Sequence, residues 1–226
     1  MAVFGIADLH LSLGTDKPMD VFRGWENYMQ RLENNWRAVI TDADTVVVAG
    51  DISWGMTLDG AREDFAFLHS LPGRKLLLKG NHDYWWTTRK KMDHFLSDCG
   101  FNSLTVVHND AYEADGIAVC GTRGWFTDAE ADQKVLLREV GRLRTSIAAA
   151  EATGLEPVVF LHYPPVFAGA ACEEILQVLI DHRIRRCYYG HIHGGGIRNA
   201  VNGLVRGIEF RLISGDAVSF MPVLIR

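Results

Sequence analysis

Apolar and polar residues follow one another along the chain in a pattern that predicts alternating strands and helices. Short apolar runs bounded by turn residues are typical of buried strands. Such runs occupy 2–7, 45–49, 75–79, 104–107, 117–121, 157–161 and 185–189. Apolar residues at helical spacing are typical of amphipathic helices. They occupy 21–41, 57–71, 85–98, 128–152 and 171–182. Asp20 is the predicted N-cap of the first helix, and the Gly-separated runs of 203–226 predict antiparallel strands.

Composition adds few constraints to this α/β pattern. The 226 residues are 48% apolar and 23% charged, values close to globular averages, and no Pro/Ser-rich linker interrupts them. We therefore expect one domain over 1–226. The formal charge of −5 without a dense Lys/Arg block disfavours nucleic acid as a partner. No apolar stretch reaches the roughly 20 residues that span a bilayer, and no signal peptide is apparent, so the cytoplasm is the expected location.

Five of the apolar runs end in residues that commonly bind metal ions. The five groups are Asp8-Leu9-His10, Asp51, Asn81-His82-Asp83, His162 and His191-Ile192-His193. Sites in open α/β sheets are built at the carboxyl ends of the strands, so these groups are predicted to form one pocket. Glycine directly precedes Asp51, Asn81 and His191, where it lets the backbone turn sharply beside a ligand. On a continuing strand, the spacing of Asp8 and His10 would place both side chains on one face.

The residue types in these groups restrict the metal chemistry. Asp, His and Asn without a thiolate suit Mn, Fe, Zn or Ni and do not choose among them. Without His82 and Asp83, the five groups hold seven candidate ligands. Seven are more than one catalytic ion with open positions uses, so two ions are predicted. Two divalent ions carry four positive charges, of which Asp8 and Asp51 offset two. The remaining positive charge favours phosphate-ester hydrolysis, in which two ions stabilise the attacking and leaving oxygens.

The ordered series D-L-H, G-D, G-N-H-D, H and G-H-I-H, spread over residues 8–193, resembles the calcineurin-like metallophosphoesterases. The resemblance implies a four-layer αββα sandwich with mixed sheets and a binuclear centre at the strand ends. The implied ligands are Asp8, His10, Asp51 and His193 for one ion, and Asp51, Asn81, His162 and His191 for the other. Asp51 would bridge the two ions, and a metal-bridging hydroxide would attack phosphorus. His82 would protonate the leaving oxygen.

Other positions depart from the better-known branches of that family. Protein phosphatases carry an Asp-Arg pair after the bridging Asp and an Arg before the His motif, where this chain has Trp54, Gly55 and Lys79. Purple acid phosphatases place a metal-binding Tyr where Trp54 stands. The carboxylate that usually orients the catalytic histidine is missing. These departures favour the broad branch of small phosphodiesterases and phosphatases.

Two residues near the predicted pocket are candidate substrate contacts. Trp54 is expected just beyond a strand end, where its ring could stack on a planar group or pack on the core. Arg123, in the sequence Gly-Thr-Arg-Gly, could reach a phosphate. Asp83 has two open roles, because it could hold a loop or orient a ligand histidine.

These residues, with the resemblance, predict a metal-dependent hydrolase of small phosphomonoesters or phosphodiesters. A metal-dependent nuclease on the same fold is an alternative that the acidic balance disfavours. A non-catalytic scaffold is a second alternative, disfavoured because every expected ligand and His82 are present. The expected partner is a small phosphate ester, with neither nucleic acid nor membrane.

Overall fold

The computed structural model describes residues 1–126 and 133–226. Five helices are described: α1 (Tyr28–Val39), α2 (Arg62–Ser70), α3 (Arg89–Asp98), α4 (Gln133–Glu151) and α5 (Glu173–Asp181). The strands are β1 (Val3–Ile6), β2 (Thr45–Ala49), β3 (Arg74–Leu78), β4 (Leu104–Val106), β5 (Ala111–Ala114), β6 (Ile117–Thr122), β7 (Glu156–Leu161), β8 (Val166–Phe167), β9 (Ala170–Ala171), β10 (Arg186–Tyr189), β11 (Gly203–Val205), β12 (Ile208–Leu212) and β13 (Val223–Leu224). A 3₁₀ helix spans Gly194–Asn199. Within these ranges, no helix is long and apolar enough to cross a membrane.

Two mixed sheets form the centre of the fold. The first has the order β13-β1-β2-β3-β4, and the second has the order β11-β12-β10-β7-β6-β5. In each sheet the central strands are parallel, while β13, β11 and β5 run antiparallel at the edges. Because parallel strands share one direction, their carboxyl ends lie along one edge of each sheet. The candidate ligands follow β1, β2, β3, β7 and β10 at that edge.

Burial on both faces of each strand explains the continuous apolar runs in the sequence. In β2, Val46 and Val48 belong to the cluster that packs under α1, α2 and α3. Their neighbours Val47 and Ala49 face the second sheet, as side chains alternate along a strand. The second sheet buries its other face against α4 and α5. The layers therefore run helix, sheet, sheet, helix, and the expected αββα sandwich is confirmed.

The first helix begins later than predicted. It starts at Tyr28 with Asn27 as its N-cap, so the prediction of a start near 21 with Asp20 as the cap is wrong. Gly24 and Asn27 both have positive φ, which breaks helical continuity. Trp25 fits the helical spacing, but it is buried in the turn before the helix. Its ring packs edge-on against His193 and Phe220 instead.

Other boundaries differ in smaller ways. The second helix begins at Arg62 because the residues before it form turns. The antiparallel edge strand β5 was not predicted. In the C-terminal tail β11 and β13 are antiparallel as expected, but β12 pairs in parallel with β10. The predicted start of the fourth helix near 128 lies outside the described residues, and the helix is described from Gln133.

Candidate metal centre

The structure brings the predicted ligands together in two groups at the shared edge of the sheets. The first group contains Asp8, His10 and His193, whose potential ligand atoms lie within 4.8 Å of one another. His193 Nε2 is 3.3 Å from Asp8 Oδ1 and 3.4 Å from His10 Nε2. These side chains come from the loops after β1 and β10, which belong to different sheets. The group is thus built across the sandwich.

The second group contains Asp51, His162 and His191, again within 4.8 Å. The Asn81 amide oxygen lies at its centre, 2.6 Å from His162 Nε2 and 2.9 Å from His191 Nδ1. The other ring nitrogen of His162 is 3.2 Å from the carbonyl oxygen of Ala49 at the end of β2. A hydrogen bond from Nδ1 to this carbonyl would fix the orientation of the ring and place the proton on Nδ1. Nε2 would then be free to bind a metal ion.

Asp51 lies between the two groups. Its Oδ2 is 3.7 Å from His10 Nε2 in the first group and 3.4 Å from His162 Nε2 in the second. Its Oδ1 accepts a hydrogen bond of 2.7 Å from the backbone amide of His82. The Asp51 carboxylate is almost completely buried, so its position is set by these neighbours and not by solvent. This carboxylate is therefore the candidate for a ligand shared by both groups.

The buried carboxylate of Asp8 fits a bound cation. Asp8 is fully buried, and its Oδ1 makes no well-aligned hydrogen bond with the described residues, although His193 Nε2 lies 3.3 Å and His162 Nδ1 3.7 Å from it. A buried carboxylate is costly unless it is fully paired or coordinates a metal. Carboxylate oxygens, imidazole nitrogens and an amide oxygen are donors that first-row transition metals accept. The site therefore has both the ligand types and the unmet demand that a metal ion would satisfy.

Burial and crowding perturb the titration of these side chains. Burial raises the pKa of Asp51 to about 8, and the neighbouring Asp8 carboxylate acts in the same direction. Burial also disfavours the charged form of His10, and it lowers the pKa of His10 to about 3. For His193, burial would lower the pKa, but Asp8 and Asp216 outweigh it and raise the pKa to about 10. In the absence of a metal ion, the buried carboxylates thus depend on protons or on a protonated histidine to balance their negative charge. A bound cation would balance that charge instead.

The backbone at the centre is strained. Asp8, His10, Asp51 and His191 have φ values of 59°, 45°, 50° and 71°. Non-glycine residues rarely adopt this left-handed region, and each instance costs of order 1–3 kcal/mol. β1 has ended at Ile6, so Asp8 and His10 do not lie on a continuing strand. Their side chains meet because the backbone turns into the site at both residues. The prediction that they share one face of a continuing strand is therefore wrong.

Gly80 allows the loops after β2 and β3 to approach closely. A Cβ atom at Gly80 would overlap the backbone amide and the carboxylate of Asp51. A Cβ at Gly50 would lie 2.7 Å from the Gly80 Cα and 2.8 Å from His162 Nδ1, and Gly50 also has φ of 90°. Glycine is therefore required at both positions, because a side chain at Gly80 would displace Asp51 and one at Gly50 would collide with Gly80 and His162.

Asp83 holds these two loops together. Its Oδ2 accepts hydrogen bonds from the amides of Gly80 (2.7 Å) and Asp51 (3.0 Å). Its Oδ1 accepts from the amide of Ile52 (2.8 Å) and the indole of Trp85 (3.0 Å). Of the two roles that the sequence left open, these contacts correspond to the loop-holding one. Asp83 fixes the backbone that carries Asp51.

His82 lies beside both groups and is half-buried. Its ring centroid is 5.8 Å from that of His10. The hydroxyl of Tyr84 is 3.3 Å from His82 Nδ1. Burial lowers the pKa of His82, and the nearby His162 lowers it further. The Tyr84 hydroxyl is therefore a hydrogen-bond partner of the His82 ring, for which the sequence offered no carboxylate partner.

The two predicted substrate contacts have different surroundings. Trp54 stacks on His10 with ring centroids 5.0 Å apart and an interplanar angle of 23°, and its ring is 4.5 Å from His82. Lys17 Nζ lies 3.4 Å from the Trp54 ring centroid. Trp54 therefore borders the centre. The Arg123 side chain instead contacts Glu139 (3.6 Å) and the ring of Trp125 (4.9 Å).

Asp216 is a functional candidate that the sequence analysis missed. Its Oδ1 is 2.9 Å from His193 Nδ1, and its Oδ2 accepts a 2.9 Å hydrogen bond from the amide of Gly194. A carboxylate on the far nitrogen of a ligand histidine fixes the ring and raises its basicity. The signal was present, since Asp216 follows glycine after strand β12 just as Asp51 follows Gly50 after β2.

An αββα sandwich with paired His/Asp groups between its sheets is the architecture of a metallohydrolase. The model of the calcineurin-like phosphoesterase family matches residues 1–195, and the chain belongs to this family. Membership supports metal-dependent hydrolysis of phosphoesters as the general reaction.

Solved structures share the fold at low sequence identity. The protein of unknown function AQ665 from Aquifex aeolicus is 15% identical, with a TM-score of 0.53 over 99% of this chain and 95% of its own. TT1561 of Thermus thermophilus is 11% identical, with a TM-score of 0.58 over 84% and 81%. The phosphopantetheinyl hydrolase of Mycobacterium tuberculosis is 15% identical, with a TM-score of 0.50 over 94% and 88%. At these identities the likeness is one of fold. The comparison with curated proteins finds no match.

Proposed function

We propose that the protein hydrolyses small phosphomonoesters or phosphodiesters at a binuclear metal centre. The observation that carries this proposal is the position of Asp51, whose carboxylate lies within 3.7 Å of a histidine in each of the two ligand groups. One group comprises Asp8, His10 and His193, and the other comprises His162, His191 and Asn81. A shared carboxylate is what two adjacent ions require.

The charge balance supports an anionic substrate. Two divalent ions would bring four positive charges, and Asp8 and Asp51 would offset two of them. The surplus would hold a phosphate ester against the centre. When bound, the ions would act as Lewis acids toward the phosphoryl oxygens. They would also lower the pKa of a bound water, so that it could lose a proton near neutral pH. Mn, Fe, Zn and Ni are all compatible with these ligands.

His82 is the proposed proton donor to the leaving oxygen. Its backbone amide is anchored on Asp51, and its ring lies between Trp54 and Tyr84. This placement positions an ionisable imidazole beside the groups that would hold the phosphoryl group. A positioned acid of this kind contributes about 10²–10⁴-fold to a reaction rate.

The size and charge of the chain support a small substrate. The formal charge of −5 gives no electrostatic attraction for the long polyanion that a nuclease must hold. Trp54 covers His10 at the border of the centre, and Lys17 Nζ lies over the Trp54 ring, which places a cation beside the groups that would hold an anionic ester.

The decisive assay compares the chain before and after chelation on 4-nitrophenyl phosphate and bis(4-nitrophenyl) phosphate. We expect chelation to abolish hydrolysis and added Mn²⁺ to restore it. Full turnover by metal-stripped protein would overturn the proposal. Single- and double-stranded DNA tested under the same conditions should stay intact, and rapid digestion would instead favour a nuclease.

A further inference from the structure

A second cavity lies beside the candidate metal centre. It has a volume of about 380 Å³ and is lined by residues that follow β3, β4 and β6, together with residues of α4. We call this cavity the side pocket, and its principal lining residues are Lys79, Trp86, His108, Arg123, Glu139 and Arg142. None of the candidate metal ligands lines it. The side pocket is therefore separate from the metal centre.

The described residues of the side pocket carry a surplus of positive charge. Lys79, Arg123 and Arg142 face a single carboxylate, that of Glu139. The Glu139 side chain is only 2% exposed and lies 2.5 Å from Arg142 and 3.6 Å from Arg123. One carboxylate can neutralise only one of the three cations. Glu139 holds the two guanidinium groups on one wall, and the residues that line the side pocket carry two more positive charges than negative ones.

Several donors around the side pocket have no acceptor among residues 1–126 and 133–226. The Nε of Arg123 is buried and makes no hydrogen bond, and neither does Nδ1 of His108, which is a donor in the tautomer that is protonated there. The Lys79 ammonium makes no hydrogen bond or ion pair within these ranges. These groups would be relieved by an anion that offers several acceptor oxygens.

We propose that the side pocket binds a phosphate group. Guanidinium groups present parallel N–H donors that match phosphate oxygens, and an ammonium adds a point charge. The cavity is larger than one phosphate group requires, so a small organic remainder would also fit. The sequence indicated that Arg123 could reach a phosphate, and in this proposal that phosphate lies in the side pocket.

The side pocket adjoins the metal centre through the backbone. The carbonyl oxygen of Arg123 accepts a 3.1 Å hydrogen bond from the amide of His162. Lys79 is separated from Asn81 by Gly80 alone. The phosphate group therefore has two possible sources, which are a free anion and a second phosphate of a substrate whose ester lies at the metal centre.

Titration of the zinc-loaded chain with inorganic phosphate, followed by ¹H–¹⁵N NMR, tests the binding. Signals of Trp86, Thr87 and Thr88, which line the side pocket, should shift with phosphate in the wild type. Lys79→Gln should raise the half-saturating concentration for these signals about tenfold, since a lost charge-assisted hydrogen bond has this order of effect. Lys91→Gln is the matched control, because Lys91 is an exposed lysine of α3 that does not line the pocket. It should leave the titration unchanged.

The proposal is overturned if these signals do not shift in the wild type, or if Lys79→Gln titrates like the wild type.

A kinetic comparison separates the two sources of the bound phosphate. If Lys79→Gln raises KM for adenosine 3′,5′-bisphosphate but not for 4-nitrophenyl phosphate, the bound phosphate is part of the substrate. If both KM values are unchanged while phosphate binding is lost, the bound phosphate is a separate ligand. Both results support a phosphate site, and the NMR arm does not depend on hydrolysis.

Discussion

His82 is anchored to Asp51 through its own backbone. The amide of His82 donates a 2.7 Å hydrogen bond to Asp51 Oδ1, while Asp51 Oδ2 faces histidines of both ligand groups. The residue proposed to bridge the metals therefore also fixes the residue proposed to protonate the leaving group. Any change that displaces Asp51 should disturb metal binding and proton transfer together.

Replacing His82 with alanine should separate these two functions. In His82→Ala the imidazole is lost, but the backbone amide that contacts Asp51 remains. We expect kcat to fall about 10²–10⁴-fold, the usual contribution of a positioned acid, with unchanged metal content by elemental analysis. His94→Ala is the matched control because the His94 side chain is 78% exposed on α3. Unchanged kcat in His82→Ala would reject its catalytic role.

Tyr84→Phe tests whether the Tyr84 hydroxyl supports the His82 ring. The hydroxyl is 3.3 Å from His82 Nδ1. It can accept from the charged imidazolium or donate to the neutral ring, and the hydrogen bond to the charged ring is the stronger one. Its loss should lower the pKa of His82, so the alkaline decline in kcat should move to lower pH. A decrease in kcat of about 2–10-fold is expected from one hydrogen bond. An identical pH–rate profile in wild type and variant would show that Tyr84 does not position His82.

Gly80→Ala should be far more damaging than a glycine substitution elsewhere. The new Cβ would overlap the Asp51 amide and carboxylate, so we expect lost metal binding and a lower thermal midpoint. Gly141→Ala in α4 is the control, because its Cβ meets nothing within 4 Å. It should stabilise the protein by about 0.5–1 kcal/mol, because alanine is the better helix former. Equal melting temperatures and metal contents for both variants would contradict the close approach.

Lys75 should make stability depend on pH above neutrality. Its side chain is fully buried, and its ammonium donates to the carbonyl of Leu71 and to Ser103 Oγ (3.3 Å). Burial lowers its pKa from 10.5 to about 8, so the unfolded chain binds the proton more tightly. The resulting penalty is present in full below pH 8 and is relieved as pH rises toward 10.5.

The Lys75→Met variant isolates this effect, because methionine is apolar and close in length. Relative to the variant, the wild type should gain about 2 kcal/mol of unfolding free energy between pH 7.5 and 9.5. Urea denaturation at both pH values measures the difference, and Lys91→Met, at an exposed position, should show no such gain. A constant difference between wild type and Lys75→Met would rule out a buried, pKa-shifted ammonium.

The sequence predicted best where one physical requirement dominates. Strand β2 was placed at its observed bounds because both its faces are buried and every residue after Thr45 is apolar. Strand β5 was missed because it pairs only at the edge of its sheet and is largely half-exposed. Trp25 suggested helix by its spacing, but its position is decided by tertiary packing on His193.

In the candidate site, too, the sequence predicted the features that depend on local pattern and missed those that depend on the folded loops. Its ligand residues were recognisable because each lies at a strand end, and the family order linked them. The left-handed backbone of Asp8 and His191 was not predictable, since surrounding loops impose it. Asp216 was missed although it follows a glycine after a strand as Asp51 does, and Tyr84 was not assigned to His82. Each contacts a histidine ring through a loop conformation that the sequence pattern does not show.

The central claim is that two ions share Asp51, and metal titration tests it most directly. Metal-stripped protein is titrated with Mn²⁺ while hydrolysis of bis(4-nitrophenyl) phosphate and bound metal are measured on the same samples. We predict that full activity requires two equivalents of metal per chain, and that Asp51→Asn does not reach it. Full activity at one equivalent, or without metal, would contradict the account.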